Sequence, residues 1–227
     1  MKYNYLVKTE LDNLILGIIE ADNISVEQSP VEFLTLINNL CNETLAGKKG
    51  LDDSTRTAIR KLLKYGKYRA TGRGKPASEY LYNLIKEGGS LPLINNIVEA
   101  NNYISLLSGY PISIFDIDKC TSPMIIRHGK DDEKYVFNQS GQELDLKDLL
   151  LVADSNCDYP KEDGRPIGNP IKDSMATKVF EDAKNIIGVI YSSKDVCIEK
   201  HMQNYLEEFK NILLSFANAS DVRYTIL

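Results

Sequence analysis

The chain has 227 residues, 43% of them apolar and 26% charged, with a formal net charge of −5. That length suits one large domain or a domain with an appendage, and the balance excludes a disordered or fibrous protein. No apolar run is long enough to span a membrane, MKYNYLVKTE has no signal-peptide core, and the four cysteines lack CxxC spacing. A cytoplasmic protein is expected, with reduced thiols, no membrane association and no metal or cofactor.

Leu14 to Ile19 reads as a strand, Ala21-Asp22-Asn23 as a turn and Ser25 to Glu27 as a second short strand. Ser29-Pro30-Val31-Glu32 predicts a helix start: Ser29 caps, Pro30 takes the first position and Glu32 closes a capping box. Phe33, Leu36, Ile37 and Leu40 form the buried stripe of that helix. A second helix, Ser54 to Tyr65, turns Ile59, Leu62 and Leu63 inward and Arg56, Arg60 and Lys64 outward. The cationic loop GKYRATGRGKP follows, then helices over 77–86 and 90–108, the latter ending before Gly109. Strands are predicted near 112–117, 123–128, 134–138 and 149–154, with Ser140-Gly141 as a hairpin turn. Residues 156–176 read as a long polar loop, 185–192 as a last strand, and 194–217 as a helix burying Met202, Leu206, Phe209 and Leu213. Together these predict an α+β domain, with helices packed on a mostly antiparallel sheet.

Charge is distributed unevenly. Lys48 to Lys75 holds ten Lys or Arg against two acids, about +8, which leaves the remainder near about −13. Within it, Lys64, Lys67, Arg69, Arg73 and Lys75 are interleaved with Tyr65 and Tyr68. They either track a nucleic-acid backbone with a tyrosine against a base, or form a solvated loop that binds nothing.

No self-contained catalytic signature is present: G-x-S-x-G, HExxH and a Walker loop are absent, and there are two histidines, His128 and His201. The informative stretch is GSLPLINNIVEANNYISLLSGYPISIFDID, residues 89–118. Asn102-Tyr103, Leu106, Gly109, Pro111, Phe115-Asp116 and Asp118 follow the spacing NY..L..G.P..AFD.D. On these residues the chain resembles the B3/B4 editing region of the phenylalanyl-tRNA synthetase beta subunit. The resemblance continues through PMIIRHGKDD to LLLVADSN and, more faintly, to Ser193.

The resemblance implies a B3/B4-like fold spanning one domain, 1–227. Residues 76–193 are its core, 1–75 an extension carrying the basic segment 48–75, and 194–227 a C-terminal helix and tail. It implies tRNA or aminoacyl-tRNA as partner, and hydrolysis of the ester joining a wrong amino acid to the terminal adenosine. A non-catalytic RNA-binding module and a small-molecule sensor using the amino-acid pocket are the alternatives. A complete synthetase is excluded by the length and by the absence of an ATP-binding signature.

The resemblance also places candidates in a substrate pocket. Ser113 stands where the family pattern P-M-H-A-F-D has histidine, and it either lines the pocket or faces solvent. Phe115 is either core or pocket wall. Alternation sends Asp116 and Asp118 to one strand face, to share a partner cation or to end the strand. Arg127 contacts a phosphate or forms a cross-strand salt bridge. Asn101 and Asn102 bond a ribose or base edge, or cap their own helix. Arg165, Asn169, Lys172, Asp173 and Ser174 line a polar wall, or belong to a solvated loop. The loop GRPIGNPIKDSMATK stands where the family has a glycine-rich GG.FGGE.SG segment, and the loss of that glutamate and of the histidine opens the pocket to an amino acid other than tyrosine, or to none.

Overall fold

The computed structural model describes residues 1–155 and 163–227, the side chain of Arg73 excepted. Cys157 and the first part of the predicted polar loop lie outside the described residues.

The strand predicted at 14–19 is longer. It runs as β2 over Leu14–Asp22 after a short β1 at Tyr5–Val7, and all nine of its residues are buried. No strand forms at 25–27. Helix α1, Val31–Leu45, buries Phe33, Ile37 and Leu40, but Leu36 points outward. The predicted capping box is absent: Pro30 is the N-cap, and Ser29 Oγ donates instead to the Glu99 carboxylate, which also accepts from the Ile94 amide at 2.6 Å. A local cap has given way to a tertiary one. Helix α2, Asp53–Leu62, starts where Asp52 accepts from the Thr55 amide at 2.8 Å, and α3 follows over Ala77–Lys86.

Helix α4 covers Asn96–Ser108, six residues fewer than predicted, because Asn95 rather than Ser90 caps it by accepting from Val98 N at 2.9 Å. Pro92 therefore lies outside the helix, consistent with the extended bias of the residue before a proline. Gly109, with φ of 75°, ends α4 in the left-handed conformation glycine adopts without strain. Strand β3, Ile112–Asp116, returns through the core, and a short 3-10 turn at Ile117–Lys119 replaces its predicted end.

The remaining strands are β4 (Met124–His128), β5 (Lys134–Val136), β6 (Glu143–Asp145), β7 (Leu150–Asp154), β8 (Arg165–Gly168), β9 (Ile186–Ser193) and β10 (Asp221–Ile226). Helix α5, Glu199–Phe216, precedes β10 and buries the four residues predicted. Strands β1, β6, β8 and β10 have no counterpart among the predicted elements, and β8 falls inside the predicted loop.

Two four-stranded sheets result, ordered β1-β4-β7-β8 and β10-β2-β9-β3, with β5-β6 as a separate hairpin. All pairings between named strands are antiparallel except β1 with β4. Helices α4 and α5 pack against the second sheet, and β3 touches β8 where the two sheets meet. At Gly17 an added Cβ would come within 2.5 Å of Met202 Sδ, so the glycine lets α5 lie close on β2. The fold is α+β, as predicted.

Candidate functional site

The cleft is built where α4, β3 and the segment after β8 converge. Asn101 and Asn102 lie mid-helix on α4 and cap nothing. With Ile112 and Ile114 of β3 and with Asn169 and Asp173 they line a cavity of about 180 Å³. A larger hollow of about 760 Å³ adjoins it, sharing Val98, Lys178 and Val179. Ile94 and Phe180 rim the larger hollow and are exposed.

Residues 169–173 are held by a buried hydrogen-bond chain. Tyr191 Oη donates to Ser113 Oγ at 3.0 Å, and Ser113 donates to the Asn169 carbonyl at 3.1 Å. Asn169 Nδ2 donates to Tyr135 Oη at 2.6 Å, and Tyr135 donates to the Lys172 carbonyl at 2.5 Å. Burial raises both phenols well above their usual range, so both hold their protons. Asn169 Oδ1 closes the turn by accepting from the amides of Ile171 at 2.8 Å and Lys172 at 3.0 Å. Such a satisfied network fixes a loop that would otherwise sample many conformations.

Asp173 is the chemically distinctive member. Its Oδ2 accepts from the Ile114 amide at 3.0 Å, while Oδ1 is shielded from solvent and finds no hydrogen-bond partner among the described residues. Burial raises its pKa from the ordinary carboxylate value to about 7, opposed by the Ser113 hydroxyl and the Ile114 amide. Asn101 Oδ1 is a second shielded acceptor without a partner, on the same small cavity. Gly168 keeps this corner tight: an added Cβ would lie 2.3 Å from Phe115 and 2.4 Å from Asp173 Oδ1. Phe115 is core, fully buried.

The other candidates separate. Ser113 neither faces solvent nor lines the cavity; it is buried behind Asn169. Asp116 and Asp118 do not share a strand face, because the strand ends at Asp116. Asp116 accepts from Asp118 N and pairs with Lys119 at 2.7 Å, while Asp118 accepts from Asn185. Arg127 makes a buried bidentate pair with Glu133, at 2.7 and 2.8 Å, and donates to the carbonyls of Asp163 and Gly164. Arg165 is likewise bidentate to the buried Asp154, at 3.1 and 2.7 Å. Both guanidinium groups are engaged inside the fold. Ser174 caps the 3-10 turn Met175–Thr177, whereas Lys172, 3.9 Å over the Phe137 ring, lines the small cavity with Asn169 and Asp173. Lys178, Val98 and Ala77 line the cleft without having been predicted; nothing in their local sequence marks them, since their neighbours arrive from distant segments.

Of the basic segment, Arg60 is consumed by Glu79 and Arg56 by Asp53. Lys64, Lys67, Arg69 and Lys75 have no carboxylate partner among the described residues, although Arg69 donates to the carbonyls of Gly66 and Tyr68 at 2.8 and 2.7 Å. The segment leads directly to the cleft: Ala77, two residues beyond Lys75, lines the small cavity and donates its amide to the Pro170 carbonyl at 2.9 Å.

A model of the B3/4 domain matches residues 65–206. The chain belongs to the B3/4 domain family. The phenylalanine–tRNA ligase beta subunit of Streptococcus thermophilus (strain CNRZ 1066) is 29% identical over 126 residues, covering 54% of this chain and 15% of that subunit. The corresponding subunit of Carboxydothermus hydrogenoformans is 38% identical over 114 residues, covering 49% of this chain and 13% of that subunit. The B3/4 chain thus spans less than a fifth of the length of these relatives. Its fold is similar to an N-terminal fragment of the phenylalanyl-tRNA synthetase beta subunit from Pyrococcus horikoshii. That likeness has a TM-score of 0.52 at 14% identity, over 98% of this chain and 51% of the fragment. Among the described residues no helix is long and apolar enough to cross a membrane.

Proposed function

We propose that this B3/4 domain binds the aminoacyl end of a tRNA and hydrolyses a wrongly attached amino acid in trans. The observation that carries this reading is the pair of shielded acceptors without a partner among the described residues, Asn101 Oδ1 and Asp173 Oδ1, on one cavity that Asn102, Asn169, Lys172 and Lys178 also line, beside a larger open hollow. Buried acceptors of this kind cost free energy until a donor meets them: Asn101 Oδ1 suits an amino acid's ammonium group, and Asp173 Oδ1 the water that attacks the ester. The combined space suits an aminoacyl adenosine, with the amino acid in the small cavity and the nucleoside in the larger one.

Hydrolysis needs no protein nucleophile here. A water oxygen attacks the ester carbonyl, the bond to the ribose oxygen breaks, and the proton passes to that oxygen, yielding free amino acid and an intact 3′ end. Asp173, with its raised pKa, is suited to take the water proton and pass it on near neutral pH. A second reading, binding without turnover, is favoured by the Ser113 hydroxyl, which its neighbours fully engage away from the cavity.

Deacylation of a panel of mischarged tRNAs separates the two. The proposal expects at least one pair to be hydrolysed well above the spontaneous rate, and expects Asp173→Asn to slow it by about 10²-fold or more. Spontaneous rates for every pair, with tRNA still bound, leave the binding module.

A further inference from the structure

A third hollow shares no lining residue with the cleft. It measures about 470 Å³ and lies beyond the ends of β1 and β4, with Lys8, Thr9, Glu10, Tyr65, His128 and Lys130 around it. Tyr65 and His128 stack face to face, centroids 3.6 Å apart and ring planes within 12°. Thr9 Oγ1 lies 3.3 Å from His128 Nδ1, which fixes the imidazole from behind. Tyr65 is 41% exposed, so it offers an aromatic face on a braced support.

The charges nearby are sorted by distance from that face. Lys8 and Lys130 both pair with Asp163, which together with Glu10 balances the two lysines, and Arg127 is matched by Glu133, so the interior carries little net charge. Glu10 is exposed and its carboxylate has no partner among the described residues. The unpaired cations Lys64, Lys67 and Arg69 flank Tyr65 on the chain, outside the hollow. A near-neutral recess with an aromatic face and an unused acceptor, bordered by cations, does not match a free phosphate. It matches a base whose own phosphates lie outside.

The geometry points to a second RNA site, in which one unpaired nucleobase stacks on Tyr65 and offers an N–H donor to Glu10 while the adjoining phosphates meet Lys64, Lys67 and Arg69. The volume accommodates one base and its sugar. The site rests on the reading of the chain as an RNA-binding protein, and it extends that reading from the aminoacyl end to a single-stranded segment elsewhere on the same RNA.

The chain has no tryptophan, so Tyr65→Trp keeps a stacking surface and adds a lone reporter. Emission of this variant should be quenched by short unstructured oligoribonucleotides and left unchanged by tripolyphosphate. With labelled oligoribonucleotides, Tyr65→Ala should weaken binding about tenfold, and Tyr65→Phe should bind within about twofold of the parent. Glu10→Gln should change the order of preference among oligo-C, oligo-A and oligo-U. If the parent binds oligonucleotides and Tyr65→Ala binds them equally well, the nucleobase site is wrong while RNA binding stands. Equal quenching by tripolyphosphate also overturns it. If neither tRNA nor any oligonucleotide binds the parent, the RNA-binding reading falls and takes this site with it.

Discussion

Asp173 sets a conflict between folding and function in one side chain. In the unfolded chain its carboxyl ionises near the ordinary 3.8, whereas in the fold it holds its proton up to about 7. Between those values the unfolded state binds fewer protons, so this residue's effect on stability worsens as pH rises from about 4 to about 7 and then levels off. Asp173→Asn removes that loss. Urea unfolding of both proteins should show the variant gaining roughly 2–4 kcal/mol on the parent between pH 4.5 and 8. A constant difference across that range would show that the carboxyl is not held neutral. Arg127 gives a contrasting case, because its partner Glu133 is fully buried. Arg127→Ala strands a carboxylate and should cost about 3–5 kcal/mol, while the double replacement Arg127→Met with Glu133→Leu should recover most of it. Melting temperatures of the three proteins check this.

Among the elements, the connection between α2 and α3 has the most direct bearing on function. It holds Lys64, Lys67, Arg69 and Lys75 without carboxylate partners among the described residues and delivers Ala77 to the cavity wall. If those four cations each meet a phosphate, log K for single-stranded RNA should fall against log salt with a slope of about −2.8. Replacing Lys67 and Arg69 by alanine should bring the slope to about −1.4, measured by anisotropy from 50 to 300 mM salt. An unchanged slope would place the contacts elsewhere. The connection after β8 works differently. Asn169 and Asp173 hold it by standing in for strand partners, one closing the turn and the other accepting from a β3 amide. It is a rigid wall despite its loop-like composition.

Across the whole molecule, features set by neighbours in sequence were legible and features set by distant neighbours were not. The αL residue at Gly109, the core position of Phe115 and the buried faces of α1 and α5 follow from turn chemistry and periodicity. The short polar strand Arg165–Gly168 contains a proline and reads as loop, and only pairing with β7 makes it a strand. Ser29 was free to cap its own helix until Glu99 came within reach. The site divides the same way. Asn101, Asn102, Asn169, Lys172 and Asp173 were identified through the resemblance and do converge. Asp116, Asp118, Arg127 and Arg165 came from the same resemblance, and the fold spends their charge on Lys119, Asn185, Glu133 and Asp154. Charge alone cannot tell a ligand contact from an internal pair, because the partner is fixed only by tertiary structure.

The last pairing in the second sheet has a bearing on how this protein survives at high concentration. Leu16 and Leu227 exchange backbone hydrogen bonds at 2.9 and 3.0 Å, and β10 covers β2 from Gly17 to Asp22. Strip residues 221–227 away, and a nine-residue ribbon with no exposed position becomes a border of open donors and acceptors. Another molecule's border would fit it as well as β10 does. As the terminal strand, β10 then carries the outer border of the sheet itself, with the exposed Asp221 placing a charge there.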